Sequence, residues 1–186
     1  MKSQLSHRIH ATAKHGHKAD LQLLLDMGAG INEKNSSAFD AIALLEAVYN
    51  GHLSYVELLI ERGADATILT RNGNSVLHLA AQKSTDSEMM NFLLNDVVET
   101  RRLVDVKGSS GDTPLHQCCY SGNQSPVIRL EKAKMLIHAG ATSTIKSSCN
   151  IIPYALARDW GGEELAKYLW SQLSLEQQAQ ESPPLA

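Results

Sequence analysis

Cysteine is scarce in this sequence, and the positions of its three cysteines exclude two classes of protein. Cys118 and Cys119 are adjacent, Cys149 stands alone, and no C-x-x-C pair occurs. Such a pattern indicates neither a disulfide framework nor a zinc knuckle. We therefore expect a reducing, intracellular environment. The cytoplasm is the expected location, with the nucleus or delivery into a host cell as alternatives.

Long apolar runs and a strong excess of one charge are missing too. No stretch approaches the roughly 20 apolar residues of a membrane-spanning helix, and residues 1–8 lack the apolar core of a signal peptide. The 17 basic and 20 acidic residues give a net charge of −3, which indicates no polyanionic partner. We expect a soluble, monomeric protein that binds neither membrane nor nucleic acid.

The sequence also lacks the motifs of common enzyme and cofactor sites. It contains no G-x-S-x-G, no Walker loop, no Rossmann glycine fingerprint and no Asp-rich calcium loop. Aromatic residues make up 5% of the chain, so small and aliphatic side chains carry the apolar fraction, as in closely packed helices. We expect neither catalysis nor a bound cofactor.

The most informative stretch that is present is 111–119, Gly-Asp-Thr-Pro-Leu-His-Gln-Cys-Cys. Thr113 suits the N-cap of a helix, and Pro114 suits the first helical position, where its missing N–H costs nothing. The stretch matches the T-P-L-H-x-A opening of an ankyrin repeat, with Cys118 in place of the alanine. The position of His116 recurs at intervals of 33 to 39 residues, close to the ankyrin period, at His10, Leu45, His78 and Ala155.

Residues 5–170 therefore resemble the ankyrin-repeat family. The resemblance implies an all-α solenoid of about five helix–turn–helix repeats with short β-turn fingers, forming one domain over residues 1–170. The repeats are expected at approximately 5–35, 38–71, 72–108, 109–148 and 149–170. The second repeat lacks the T-P-L-H letters, so its first helix is expected to start earlier, from Ser37. The polar segment 171–186 predicts a frayed helix and then a disordered tail.

Eight histidines suggest a metal site, above all the N-terminal group His7, His10, His15 and His17. In the repeat frame, however, His10, His78 and His116 take the T-P-L-H position. The resemblance implies that this imidazole is buried and hydrogen-bonds backbone and hydroxyl groups. Zinc needs three or four converging ligands, so we favour the structural role and keep a metal-dependent activity as the alternative. Cys118 and Cys119 similarly replace a small Ala-Ala pair, whereas Cys149 is expected to be exposed.

The resemblance implies a non-catalytic module that binds another protein through its concave face, which the fingertips and the exposed flanks of the first helices form. Tyr49, Tyr120 and Trp160 recur where the fold needs no aromatic, and Tyr and Trp are enriched in binding hot spots. For Trp160, capping of the last repeat is an equal alternative. A stoichiometric inhibitor or adaptor of an enzyme, or a host-delivered effector, is the alternative function. The predicted partner-binding residues are Phe39, Tyr49, Asn50, Arg71, Asn72, Asn74, Gln82, Lys83, Asp112, Tyr120, Ser121 and Trp160.

Overall fold

The structure, a computed structural model, describes residues 2–35, 40–83, 86–120 and 124–184. Over these ranges the regular structure is helical, without a β-strand. The α-helices are α1 Lys2–His15, α2 Lys18–Asp26, α3 Ala43–Tyr49, α4 Leu53–Glu61, α5 Val76–Lys83, α6 Glu88–Asn95, α7 Pro114–Cys119, α8 Pro126–His138, α9 Pro153–Leu156, α10 Glu163–Ser171 and α11 Leu175–Gln178. A 3₁₀ helix, Val98–Leu103, follows α6, and a π-helical turn, Ala157–Gly161, follows α9.

The helices form two stacked layers. The first helices of the repeats pack in series, α1 on α3, α3 on α5, α5 on α7 and α7 on α9. The second helices α2, α4, α6, α8 and α10 form the outer layer, and each packs on the first helix of its own repeat. Each repeat thus touches mainly its neighbours, which is the defining property of a solenoid. The predicted all-α solenoid is confirmed.

Small side chains let the first helices approach one another closely. Ala47 of α3 and Ala80 of α5 are completely buried, and Cys118 and Cys119 of α7 take the equivalent places. Burial raises the pKa of the Cys118 thiol to about 12. Both cysteines are therefore small core residues, as expected, and Cys149 is exposed.

Glycine ends three of the outer helices, as the sequence pattern predicts. Gly28, Gly63 and Gly140 have φ values of 85°, 83° and 97°, a left-handed conformation that favours glycine. The backbone amide of the next residue then donates a hydrogen bond to a carbonyl of the helix. The amide of Ala29, for example, donates to the carbonyl of Leu24 at 3.0 Å. These turns close each repeat and direct the chain into the next finger.

Two helix limits differ from the sequence expectations. Ser37, the expected helix start, lies outside the described residues; α3 begins at Ala43, because Ile42 is extended, with φ −84° and ψ 163°, and is buried in the core. In the fourth repeat, the interval of 39 residues from His116 to Ala155 predicts an insertion between the helices that includes residues 126–128. They instead form the first turn of α8, which Pro126 starts.

The segment after α10 returns to the last repeat over its described residues, 171–184. The side-chain amide of Gln178 in α11 donates to the carbonyl of Trp170 at 3.0 Å. The hydroxyl of Tyr154 donates to the carbonyl of Ser182. These contacts differ from the disorder expected of the tail; the limits of the five repeats stay predictions.

Neighbouring fingers are hydrogen-bonded to one another. The amide of Ser109 donates to the carbonyl of Asn72 at 2.7 Å, and the amide of Ser148 donates to the carbonyl of Ser110 at 2.9 Å. Equivalent positions of successive fingers are thereby held side by side. Within the described ranges, no helix combines the length and apolar character needed to cross a bilayer.

Candidate functional site

The T-P-L-H histidines fix the fingers that carry the candidate site. His78 Nδ1 accepts a hydrogen bond from the amide of Ser75 at 3.1 Å, so the ring proton is on Nε2. Nε2–H then donates to the carbonyl of Asp112 in the next finger at 3.0 Å. His116 repeats this arrangement with Thr113 and with the carbonyl of Ile151. Burial lowers the pKa of both histidines, which favours the neutral form. The predicted structural role fits this geometry.

His10 has a different environment from His78 and His116. Its Nε2 lies 3.0 Å from the carbonyl of Glu33, but its Nδ1 faces a carboxylate oxygen of Glu46 at 3.3 Å. His7, His15 and His17, its companions in the proposed metal cluster, are exposed. Among the described residues, no three His, Cys, Asp or Glu side chains are placed to hold a metal ion.

Six of the twelve predicted partner-binding residues line one cavity. The cavity, which we call the Tyr49 groove, has a volume of about 430 Å³. Its walls come from the ends of α3 and α5 and from the finger between them. The predicted residues in it are Tyr49, Asn50, Asn72, Asn74, Gln82 and Lys83, and Ala41, Leu45, Glu46, Thr70 and Leu79 complete the lining.

The Tyr49 groove combines an aromatic ring, a cation and amides. The ammonium of Lys83 lies 5.1 Å from the centroid of the Tyr49 ring, a cation–π distance. The Tyr49 side chain is 45% exposed. Within the described part of the chain, the side-chain amides of Asn72, Asn74 and Gln82 make no hydrogen bond. These amides keep donors and acceptors for another molecule.

Sequence reasoning missed Glu46, which lies at one side of the groove. Its carboxylate accepts from the Asn35 amide at 3.2 Å, and its carbonyl accepts from the Asn50 amide at 2.7 Å. Glu46 precedes Tyr49 by three positions, so the two share a helix face. The three-residue spacing from Tyr49 is the sequence signal that would have identified Glu46 as a groove residue.

Tyr120 lies outside the Tyr49 groove and is paired with Asp112. Its hydroxyl donates to a carboxylate oxygen of Asp112 at 3.2 Å, while its ring is 41% exposed. Partial burial, and then the Asp112 carboxylate, raise the pKa of Tyr120 to about 12. Asp112 itself is only 7% exposed. Its placement at an exposed fingertip is therefore wrong, because its carbonyl and carboxylate both face other groups of the protein.

The remaining predicted residues are spread more widely. Trp160 is 63% exposed on the π-helical turn; Trp170 is the residue that packs on Tyr154, with ring centroids 5.0 Å apart. Arg71 pairs with Asp40 at 3.2 Å and stays largely exposed. Phe39 and Ser121 lie outside the described residues.

Comparison with known proteins agrees with this architecture. A family model described as "Ankyrin repeats (3 copies)" matches residues 9–102 and 44–147, which together are more than half of the chain. The chain belongs to the ankyrin-repeat family. Ankyrin repeats are in general modules for protein–protein interaction.

Several proteins share these ankyrin repeats. The chain is 40% identical over 79 residues, 42% of its length, to the nuclear factor NF-kappa-B p100 subunit of Xenopus laevis, and covers 8% of that protein. It is 26% identical over 131 residues, 70% of its length, to the human transient receptor potential cation channel subfamily A member 1, of which it covers 12%. It is 32% identical over 96 residues, 51% of its length, to a putative ankyrin repeat protein of Rickettsia bellii, of which it covers 54%. The chain thus spans a small part of the first two relatives and about half of the third.

Proposed function

We propose that this ankyrin-repeat protein is a non-catalytic module that binds a partner protein through its concave face, with the Tyr49 groove at the centre of the contact. The observation that carries the proposal is the composition of that groove. A half-exposed tyrosine, a lysine above its ring and unpaired amides surround one cavity. The fold does not need these polar groups there, since no described residue hydrogen-bonds the amides of Asn72, Asn74 and Gln82.

Tyr120 and Trp160 extend the proposed contact towards the C-terminal repeats. Both rings lie at the ends of first helices or the turns that follow them, as Tyr49 does. Partly exposed aromatic rings on a rigid scaffold offer large contact area at low entropic cost. The cytoplasm is the proposed site of this interaction.

The test begins with affinity capture of the partner from the native source. Binding of the captured partner is then compared for the wild-type protein, Tyr49→Ala and Tyr120→Ala. Each substitution is expected to weaken binding by more than about 1 kcal/mol, since truncation of an aromatic hot spot costs at least this much. A single dominant partner that is an enzyme would favour the inhibitor or adaptor form of the proposal.

Tyr168→Ala is the matched control. Tyr168 lies in the outer layer on α10, and the Lys134 ammonium is 5.6 Å from its ring centroid, so it has the same kind of cation–π contact on the opposite side of the solenoid. Its removal is expected to leave partner binding unchanged. If Tyr49→Ala and Tyr120→Ala bind the partner as tightly as Tyr168→Ala does, the concave assignment is wrong.

A further inference from the structure

The histidines of the third and fourth repeats receive a hydrogen bond on Nδ1 from the residue just before their helix. The amide of Ser75 donates to His78, and the amide of Thr113 donates to His116. These amides are free to do so because the first amides of a helix have no acceptor within it. Each ring is therefore fully bonded in its neutral form, with Nε2–H donating to the next finger.

His10 has no such donor, because its helix starts much earlier. Helix α1 runs over Lys2–His15, so the amide three positions before His10, that of His7, bonds within the helix. Within the described ranges, the buried Nδ1 of His10 has no hydrogen-bond partner. The group that faces it is the Glu46 carboxylate of α3, whose Oε1 lies 3.3 Å away, an ion-pair distance.

Two acceptors thus face the His10 ring, whereas a neutral imidazole has one N–H. Nε2 lies 3.0 Å from the carbonyl oxygen of Glu33, and Nδ1 faces Glu46. Either neutral tautomer directs a ring lone pair at one of these oxygens, whereas the imidazolium has a proton on both nitrogens. Because 4% of the surface of His10 is exposed, water does not relieve the unmatched contact.

The extra proton of the pair belongs on His10 instead of Glu46. The side-chain amide of Asn35 donates to Glu46 Oε1 at 3.2 Å, and such a hydrogen bond favours the charged carboxylate. The side chains of His10 and Glu46 are 5% and 22% exposed, so solvent screens their attraction less than that of a surface pair.

The other charged groups near His10 leave this arrangement unchanged. The Glu33 carboxylate accepts from the Ser6 hydroxyl. On α4, which packs behind α1 and α3, burial raises the pKa of Tyr55, so its hydroxyl stays uncharged. Further charged or titratable residues of α1, α2 and the first finger are exposed: His7, Arg8, Lys18, Asp20, Asp26 and Lys34.

We propose that His10 and Glu46 form a proton-dependent latch between the first and second repeats, at the wall of the Tyr49 groove. When His10 is protonated, the latch is closed and the charge of Glu46 is compensated. When His10 is neutral, the latch is open and Glu46 is an uncompensated carboxylate in the lining of the groove. Histidine changes its charge between about pH 5 and 8, so the latch responds to pH near neutrality.

The latch changes the charge at the Tyr49 groove by one unit. Among the described residues of the lining, Glu46 and Lys83 carry charge, and they balance each other when the latch is open. When it is closed, the charge of Lys83 is left without an equal opposite charge. Tyr49 follows Glu46 by three positions, on the same face of α3. Partner binding then depends on pH through His10; this step rests on the proposed function, whereas the latch itself does not.

Two-bond 1H–15N spectra of the histidine rings test the latch, because they distinguish the two neutral tautomers from the imidazolium. At about pH 6.0 His10 is expected to be mainly imidazolium in the wild-type protein, while His78 keeps its neutral Nε2–H form. Glu46→Gln is expected to lose the imidazolium signals of His10 at that pH, since a glutamine amide can donate to Nδ1. His10→Gln identifies the signals by removing them.

The ring resonances of Tyr49 measure whether the latch affects the groove. Between about pH 5.5 and 7.5 they are expected to shift together with the His10 signals. This shift is expected to be lost in His10→Gln and in Glu46→Gln. His7→Gln is the matched control, because it removes an exposed histidine of the same helix and should leave both sets of signals unchanged. Native His78 signals in each variant show that the solenoid is folded.

Three results would overturn the inference. The latch is wrong if the His10 ring stays in one neutral form over this pH range, or if Glu46→Gln leaves its signals unchanged. Its control of the groove is wrong if the Tyr49 resonances do not follow the His10 signals.

Binding of the captured partner distinguishes failure of the latch from failure of the proposed function. The ratio of the Kd values at the two ends of the pH range is expected to differ about two- to fivefold between the wild type and His10→Gln, and to be unchanged in His7→Gln. Equal ratios in all three proteins, with binding that still depends on Tyr49, would refute the pH control and leave the concave interaction standing. If binding is indifferent to Tyr49 and Tyr120, the proposed function is wrong, and the ring spectra still decide the latch.

Discussion

The ammonium nitrogen of Lys132 lies 3.0 Å from the carbonyl oxygen of Ala80, in the last turn of α5. Lys132 is completely buried, and its ammonium also donates to the side-chain oxygen of Gln124 at 3.0 Å. Three residues earlier on α8, buried Arg129 donates to the carbonyls of Tyr120 and Trp160 at 3.4 and 3.5 Å. Both cations thus face the C-terminal ends of first helices, where the helix dipole is negative.

These contacts explain how α8 carries two buried cations. No ion pair joins Arg129 to a carboxylate among the residues that the structure describes. Carbonyl dipoles of three successive repeats face the two cations instead, while Arg129 Nε has no hydrogen-bond partner among the described residues. Burial lowers the pKa of Lys132, as expected of an ammonium removed from water. We infer that these two residues fasten the third, fourth and fifth repeats together.

Lys132→Met is expected to lower the free energy of unfolding by about 1–3 kcal/mol, since the carbonyl of Ala80 loses a charged donor while remaining buried. Lys134→Met, an exposed change two residues away, is expected to stay within about 0.5 kcal/mol of the wild type. Urea denaturation of both variants measures the difference. Equal stability of the two variants would show that the buried ammonium contributes nothing net.

Stability is expected to fall as the pH drops below the ordinary histidine pKa. The pKa values of His78 and His116 are lowered from 6.5 in the folded protein, so the unfolded chain binds protons first on acidification. Their contribution is therefore complete above about pH 6.5 and is lost as the pH falls through the folded pKa values. Urea denaturation at pH 7.5 and 5.5 measures the change.

The matched comparison is the double variant His78→Gln, His116→Gln. It is expected to be less stable than the wild type at pH 7.5, because the hydrogen bonds between fingers are altered. Its loss of stability between pH 7.5 and 5.5 should be smaller. An undiminished loss would assign the pH dependence to other groups.

The three cysteines are expected to differ in their reactivity towards thiol reagents. Cys149 is exposed and should react with a disulfide reagent at once in the native protein. Cys118 and Cys119 are fully buried, and burial raises the pKa of Cys118 to about 12, so both should react only after denaturation. Spectrophotometric titration with and without guanidinium measures this. Native Cys149→Ser should show no fast phase; a fast phase in that variant would contradict the burial of the pair.

Two glycines of similar conformation should respond differently to alanine. Gly28 and Gly111 have φ values of 85° and 70°, so alanine is strained at both by about 1–2 kcal/mol. A Cβ at Gly28 meets nothing within 4 Å, whereas one at Gly111 would lie 2.5 Å from the backbone nitrogen of Ser148 in the next finger. Gly111→Ala should therefore lose clearly more stability than Gly28→Ala in urea denaturation. If both variants lost the same free energy of unfolding, the close approach of Gly111 to the finger of Ser148 would contribute nothing to stability.

Much of the fold could be predicted because its signals are local. Thr113 and Pro114 define a helix start, and glycine after an apolar helix defines its end. The sequence pattern predicts helix limits and burial wrongly where tertiary packing determines them. Ile42 enters the core and so delays α3 to Ala43. Asp112 is buried where the Tyr120 hydroxyl binds its carboxylate and His78 of the preceding repeat binds its carbonyl, and neither contact is visible from its own neighbours in the sequence.

The candidate site could be predicted only in part, for the same reason. The repeat frame identified Tyr49, Asn72 and Lys83 one by one, from three different elements. Only the stacking of the second and third repeats brings them around one cavity. Buried Arg129 and Lys132 had no sequence signal, because their partners are main-chain carbonyls that any residue provides.

The sequence alone therefore determined the repeat unit and the glycine that ends its outer helix, since both depend on residues a few positions apart. The structural role of His78 and His116 followed from the resemblance to ankyrin repeats, because each histidine bonds to a carbonyl in the next repeat. Tertiary structure decided which repeated residues meet. It brought Lys107 beside Lys146, because equivalent positions of stacked repeats become neighbours although about one repeat length of chain separates them.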